Sequence, residues 1–218
     1  MNKTFAVLGA GKFGSNLARQ LYEDGCEVLV VDHTEAHVNE IADYVTHAVI
    51  GDTTDERFLS DIGIRDFDYV IISLASDIRA SVITTVLCKE LGAKYIIAKA
   101  TDDLHAKLLL KTGADKVIRP EKEAGIRLAK SLVSGNFIYY LELSDTYSVH
   151  EIHIPKAWIG QTLLKLDVRR KYDVTVIGIR RGEDILVTLD PNAPLRQGDV
   201  LILIGANSGF EKISHLEV

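Results

Sequence analysis

The chain is 218 residues long, 47% hydrophobic and 26% charged, with a formal net charge of −6 at pH 7. That composition excludes a disordered chain and fits one large or two small globular domains. An acidic chain without a basic block argues against nucleic acid as a partner, because phosphate contacts need clustered Lys and Arg.

Hydrophobic periodicity predicts an alternation of strands and helices through the first part. Strands are expected at 4–8, 27–31, 48–50, 69–74, 94–98 and 116–118, with helices at 13–23, 33–44, 78–91, 105–111 and 121–133. Thr34 is the expected cap of the second helix. Strands separated by helices of this length predict a Rossmann-type, doubly wound parallel α/β sheet. After the Ser134-Gly135-Asn136 stop the pattern becomes β-rich, with strands expected around Val149–Ile154, 174–179, 185–189 and 200–204. The expected organisation is an N-terminal nucleotide-binding domain over 1–135, including a connecting helix, and a smaller α+β domain over 140–218. The aromatic stretch Phe137-Ile138-Tyr139-Tyr140 is expected to join them directly. No apolar run approaches the roughly 20 residues of a membrane span, and the N-terminus has no signal-peptide pattern, which predicts a cytoplasmic protein without membrane insertion. Cys26 and Cys88 form no Cys-x-x-Cys pattern and read as small core residues.

Gly9-Ala10-Gly11-Lys12-Phe13-Gly14 fits Gly-x-Gly-x-x-Gly between a predicted strand and a predicted helix, the context in which this motif binds a phosphate at a helix N-terminus. Gly9 permits the tight turn, Gly11 lets backbone approach a phosphate, and Gly14 lets the helix pack against the strand. Lys12 is a ready phosphate partner. Asp32 ends the second strand about 20 residues on, where an acid binds ribose hydroxyls and repels a 2′-phosphate. His33 follows it. Asp52 and Thr53 end the third strand on the adenine side. Ser73 and Ala75 end the fourth, Lys99 the fifth, and Glu121 follows the sixth, all toward the crevice where ligands bind open α/β sheets.

A catalytic set is not legible. Tyr95 and Lys99 have a Tyr-x-x-x-Lys spacing that needs a helix, but the segment reads as a strand, which holds the two side chains about 13 Å apart. His33 and His37 are spaced for one helix face without a third metal ligand and read as a solvated face. His150 and His153 fall on opposite faces of a strand. A nucleotide site without an acid, base or nucleophile predicts a sensor, not an enzyme. An NAD-dependent oxidoreductase and a nucleotide-stabilised assembly domain are the competing readings.

Residues 5–14, Val30-Val31-Asp32, 46–53, Lys99-Ala100-Thr101, 113–122, 166–172 and 195–205 together resemble the regulator-of-potassium-conductance (RCK) family, and in particular the cytosolic regulatory subunits of bacterial Ktr/Trk-type potassium uptake systems. The resemblance spans essentially the whole chain. It implies homodimers assembled into an octameric ring on a membrane-embedded potassium-translocating subunit. It also implies ATP and ADP, or NAD and NADH, in the first domain, a divalent cation held by Glu121 near the phosphates, and cyclic di-AMP in the second domain. Lys12 stands where the Ktr branch usually has Arg. For cyclic di-AMP, Arg169 matches and Thr175 stands where Asn is often found.

Overall fold

A computed structural model describes residues 3–74, 77–133, 137–144 and 146–216. The chain divides into two compact units, Met1–Pro120 and Glu121–Val218.

The first unit alternates as expected. Strands β1 (Thr4–Leu8), β2 (Glu27–Asp32), β3 (His47–Ile50), β4 (Tyr69–Ile72), β5 (Ile96–Lys99) and β6 (Lys116–Ile118) alternate with helices α1 (Lys12–Glu23), α2 (Glu35–Ile41), α3 (Glu56–Asp61), α4 (Ile78–Glu90) and α5 (Asp103–Thr112). The sheet order is β3-β2-β1-β4-β5-β6, with every pairing parallel. This is the doubly wound Rossmann order. It reverses direction between β1 and β4, and a crevice opens there at the carboxyl ends of the strands. Val7, Val30, Val31 and Ile72 are fully buried, as central parallel strands covered on both faces require.

Two local expectations are corrected. The helix expected over 33–44 begins only at Glu35 and ends at Ile41, followed by a 3-10 turn over Ala42–Tyr44. Thr34 holds the capping position without a capping side-chain hydrogen bond, and its N–H is tied to the Asp32 carboxylate. Helix α3, absent from the sequence reading, is a short helix opened by Asp55, whose side chain accepts the Arg57 N–H.

The second unit holds most of helix α6 (Pro120–Val133), followed by strands β7 (Phe137–Glu142) and β8 (Tyr147–His153), helices α7 (Leu163–Leu166) and α8 (Val168–Tyr172), strands β9 (Val174–Arg181), β10 (Asp184–Leu186) and β11 (Val200–Ala206), and helix α9 (Asn207–Ser214). The sheet is antiparallel, ordered β10-β9-β11-β8-β7. Residues 137–140, expected as a plain connector, belong to its edge strand β7. The strand expected over 185–189 is shorter and starts at Asp184. Its core gathers Ile152, Trp158, Val174, Leu201, Leu203 and Phe210.

The adjacent Arg180 and Arg181 are both paired with acids within this unit. Arg181 makes a two-pronged contact with Asp199 at 2.8 and 2.9 Å, and Arg180 meets Glu151 at 2.5 Å. His150 is buried and His153 exposed, on opposite faces of β8. Cys88 is fully buried, and burial pushes its thiol up to about 12. Cys26 is half-buried against the core.

Candidate nucleotide site

The loop between β1 and α1 is built from three glycines in three different environments. Gly9 has φ +106°, and a Cβ there would stand 2.8 Å from the Ser73 carbonyl oxygen. A Cβ on Gly14 would lie on the Gly9 carbonyl oxygen, with the Ser73 hydroxyl 3.3 Å away. Both glycines are therefore required by the fold. Gly11 is different: its φ is −68°, and a Cβ there would meet nothing within 4 Å. Room is left beside the backbone at the start of α1.

That helix start is also chemically open. Helices α3, α4 and α5 are capped by the side chains of Asp55, Asp77 and Asp102. Helix α1 is opened by Gly11, with no side-chain cap and no acid in its first turn. The first N–H groups of a helix lack partners within the helix and sit at its positive dipole end, so this terminus favours an anion. Exposed Lys12 is the first residue of the helix. Lys99, at the end of β5, brings its Nζ to 5.4 Å from the centre of the Phe13 ring, beside the same loop.

Asp32 sits at the end of β2 with only 6% of its surface exposed. Its Oδ2 accepts the Ala10 N–H at 2.7 Å and its Oδ1 accepts the Thr34 N–H at 2.8 Å. Burial pushes its affinity for a proton up, but the hydrogen bonds from Thr34 and Ala10, with His37 nearby, outweigh burial and hold the carboxyl below its ordinary value. The His37 and His33 Nδ1 atoms lie 3.4 and 3.6 Å from Oδ1. Both imidazoles are exposed, as expected, but only His37 lies on α2: His33 precedes the helix, and both flank the acid. Asp32 thus ties the glycine loop to the end of β2 as well as facing the crevice.

A cleft of about 320 Å³ opens beside it, lined by Asp32, His33, Gly51, Asp52, Thr53, Thr54, Leu74, Asp77 and Ala80. Four of these were legible as candidates: Asp32, His33, Asp52 and Thr53. Thr54, Leu74 and the start of α4 were not; Asp77 carried a usable signal as an acid directly before a helical run. The Asp52 carboxylate accepts from the Thr54 hydroxyl at 2.7 Å and the Thr54 N–H at 2.8 Å, and these bonds hold it below the ordinary carboxylate value. Ser73 packs behind the glycine loop, its N–H on the Leu8 carbonyl at 2.7 Å. Ala75 lies outside the described residues. Glu121 is exposed in the first turn of α6. Tyr95 precedes β5 and Lys99 ends it, so their spacing is that of a strand, and Tyr95 packs edge-on against Tyr69.

The TrkA-N domain family model matches residues 5–120, and the TrkA-C domain model matches residues 149–216. The chain belongs to this TrkA-N/TrkA-C family. It is 44% identical over 215 residues to Ktr system potassium uptake protein C of Bacillus subtilis, covering 97% of each chain. It is 40% identical to Ktr system potassium uptake protein A of the same organism, over 98% of this chain and 96% of that protein. Against the Vibrio alginolyticus protein A the identity is 33%, over 94% and 93%. The solved GsuK channel superposes with a TM-score of 0.71 at 18% identity, over 99% of this chain and 39% of that one. The GsuK channel bound to NAD superposes at 0.67 and 17%, over the same shares. The RCK resemblance of the sequence and its two-part fold are borne out.

Proposed function

We propose that this TrkA-N/TrkA-C chain is a cytosolic nucleotide-sensing regulatory subunit that gates a membrane potassium transporter. The observation that carries the nucleotide part is Gly11. The fold requires glycine at 9 and 14 but leaves position 11 open, beside an uncapped helix start, which is what close approach of a phosphate needs. The potassium part rests on full-length similarity to proteins named for Ktr potassium uptake.

In this reading the phosphates take the first N–H groups of α1, with Lys12 and Lys99 supplying positive charge. The ribose hydroxyls donate to Asp32, and the base lies toward Asp52 and Thr53, away from the glycine loop. The charged Asp32 suits ATP, ADP, NAD or NADH and opposes a 2′-phosphate. The cleft carboxylates with shifted proton affinity, Asp32 and Asp52, are shifted toward the charged form, which suits holding hydroxyl donors rather than delivering a proton. That supports sensing over catalysis. Among the described residues no three His, Cys, Asp or Glu side chains converge as a metal site. A divalent cation held by Glu121 would therefore need ligand phosphate oxygens to complete its shell.

The functional division follows: a nucleotide domain over 1–135 with α6 as connector, and an assembly and ligand domain over 140–218. Homodimers build an octameric ring on the cytoplasmic face of the membrane partner. No described helix is long and apolar enough to cross a membrane itself. In the second unit, cyclic di-AMP at the dimer interface would use Arg169 for its phosphate; Arg169 lines a cleft of about 210 Å³ with Leu163, Leu164, Asp167, Val168, Val176 and Pro191, and Thr175 is exposed on β9.

The test is to purify the full chain, identify any bound nucleotide by mass spectrometry, and titrate ATP, ADP, NADH and NADPH by calorimetry. Exchangeable binding of an adenine nucleotide, with NADPH weakest, is expected. Absence of binding by all four would overturn the reading.

A further inference from the structure

The cleft is closed on one side by the 51–54 loop after β3 and by Asp77 and Ala80 at the start of α4. One to two turns deeper, α4 has an unusually polar buried stripe: Ser81, Thr84 and Thr85 are fully buried beside Cys88. The Thr85 hydroxyl turns back onto the Ser81 carbonyl at 2.7 Å. The Thr84 hydroxyl leaves the helix. It donates to the Thr53 carbonyl at 3.0 Å, and its oxygen lies 3.1 Å from the Thr53 hydroxyl oxygen. Thr84 does not itself line the cleft, whereas Thr53 does. A buried hydroxyl is costly without a partner, and valine would fill the same volume without that cost. The partner here is the wall of the cleft.

We propose that Thr84 is a positioning residue for base recognition, latching the Asp52–Thr54 loop into the shape that accepts an amino-bearing purine edge. The inference rests on the nucleotide reading above. With the phosphates at α1 and the ribose at Asp32, the base extends toward this loop. Its wall offers acceptors in the Asp52 and Asp77 carboxylates. The 6-amino group of adenine donates to a carboxylate, while a 6-oxo group meets it lone pair to lone pair. The loop is self-braced by the Asp52–Thr54 bonds on one side and by Thr84 on the other. A pre-ordered loop loses less freedom when the ligand arrives. Without the latch, only the fraction of molecules holding the loop in place binds at full strength.

ATP and ITP separate this from general damage, since they differ only at the 6-substituent and at the adjoining N1, which carries a proton in ITP. Calorimetry on the full chain with Thr84→Val is expected to weaken ATP about three- to tenfold, in line with loss of a buried neutral hydrogen bond. ITP is expected to change by less than about twofold, so the preference for ATP shrinks. Thr84→Ser restores the hydroxyl and the preference. If Thr84→Val does not fold, Thr84→Ala removes the same hydroxyl without placing a methyl group against the Thr53 carbonyl. An ATP-to-ITP ratio unchanged by loss of the hydroxyl overturns the proposal, whether both affinities hold or both fall together. A wild-type chain that binds neither nucleotide overturns the nucleotide reading first, and this proposal with it.

Discussion

At the scale of single residues, the three glycines of the loop separate folding from binding. Gly14→Ala forces a Cβ onto the Gly9 carbonyl, an overpacking expected to cost about 1–3 kcal/mol of stability. Gly11→Ala meets nothing within 4 Å, so its cost is confined to alanine being a poorer helix N-cap than glycine, about 1 kcal/mol. It should fold with at most that loss of stability yet bind adenine nucleotide at least about tenfold more weakly; unaltered affinity would place the phosphate elsewhere. Asp32 cannot be separated in this way. Because it accepts the Ala10 and Thr34 N–H groups while nearly buried, Asp32→Ala should lose about 1–3 kcal/mol of stability along with ribose binding. Denaturant titration beside calorimetry checks both; full stability in the variant would mean the loop is held by other contacts. From sequence alone Asp32 reads as a ribose ligand, and its second task was invisible because it depends on the loop folding back across β2.

At the scale of elements, legibility followed periodicity. The six parallel strands were readable because each is an apolar run bounded by a turn, as with Val28 to Val31 or Val70 to Ile72. Helix α3 was not, being six residues long with one buried position, Leu59. Helix α4 was found by length, although its buried face carries hydroxyls, one of which, that of Thr84, has its partner, Thr53, 31 positions back. The role of α5 was equally hidden, since its buried histidine is satisfied only in part. His105 is 1% exposed, its Nδ1 lies 3.3 Å from the Thr101 N–H, and its Nε2 is buried without a hydrogen-bond partner. An Nδ1 that accepts leaves the proton on Nε2, and burial pushes the affinity for a second proton down. The unfolded chain takes that proton below about pH 6.5 while the folded chain resists it. The first unit therefore loses stability as pH falls from about 6.5. Asp199 in the second unit behaves differently. Its hydrogen bonds from Arg181 outweigh burial and hold its carboxyl low, so its stabilisation is present above about pH 4 and lost only as pH falls through the folded value. Trp158, the sole tryptophan, lies in the core of the second unit. On acidification toward pH 5, helical circular dichroism should become easier to melt while Trp158 emission holds. His105→Leu should flatten that slope; coincident melting of both signals at every pH would contradict it.

At the scale of the whole molecule, a bound nucleotide that is not consumed acts only through unequal affinity for two conformations. Moving a population from mostly one state to mostly the other takes about 5.5 kcal/mol of differential binding, a large demand on one site and a small one when shared round a ring. Two features make a cation the natural second ligand of that switch. A polyphosphate at the glycine loop would carry more negative charge than Lys12 and Lys99 can offset. Glu121, the carboxylate proposed above to hold that cation, is exposed in the first turn of α6. Glu121→Gln keeps the shape and removes the charge. It should leave nucleotide affinity without cation within about twofold of wild type and abolish the cation-dependent part of the conformational response. Small-angle scattering of the full chain without ligand, with ADP and with ATP, each with and without magnesium, measures that response. Distinct ATP and ADP curves that magnesium separates further in the wild type, but not in Glu121→Gln, are expected. Superimposable curves under all six conditions would rule out nucleotide-driven rearrangement of the isolated assembly.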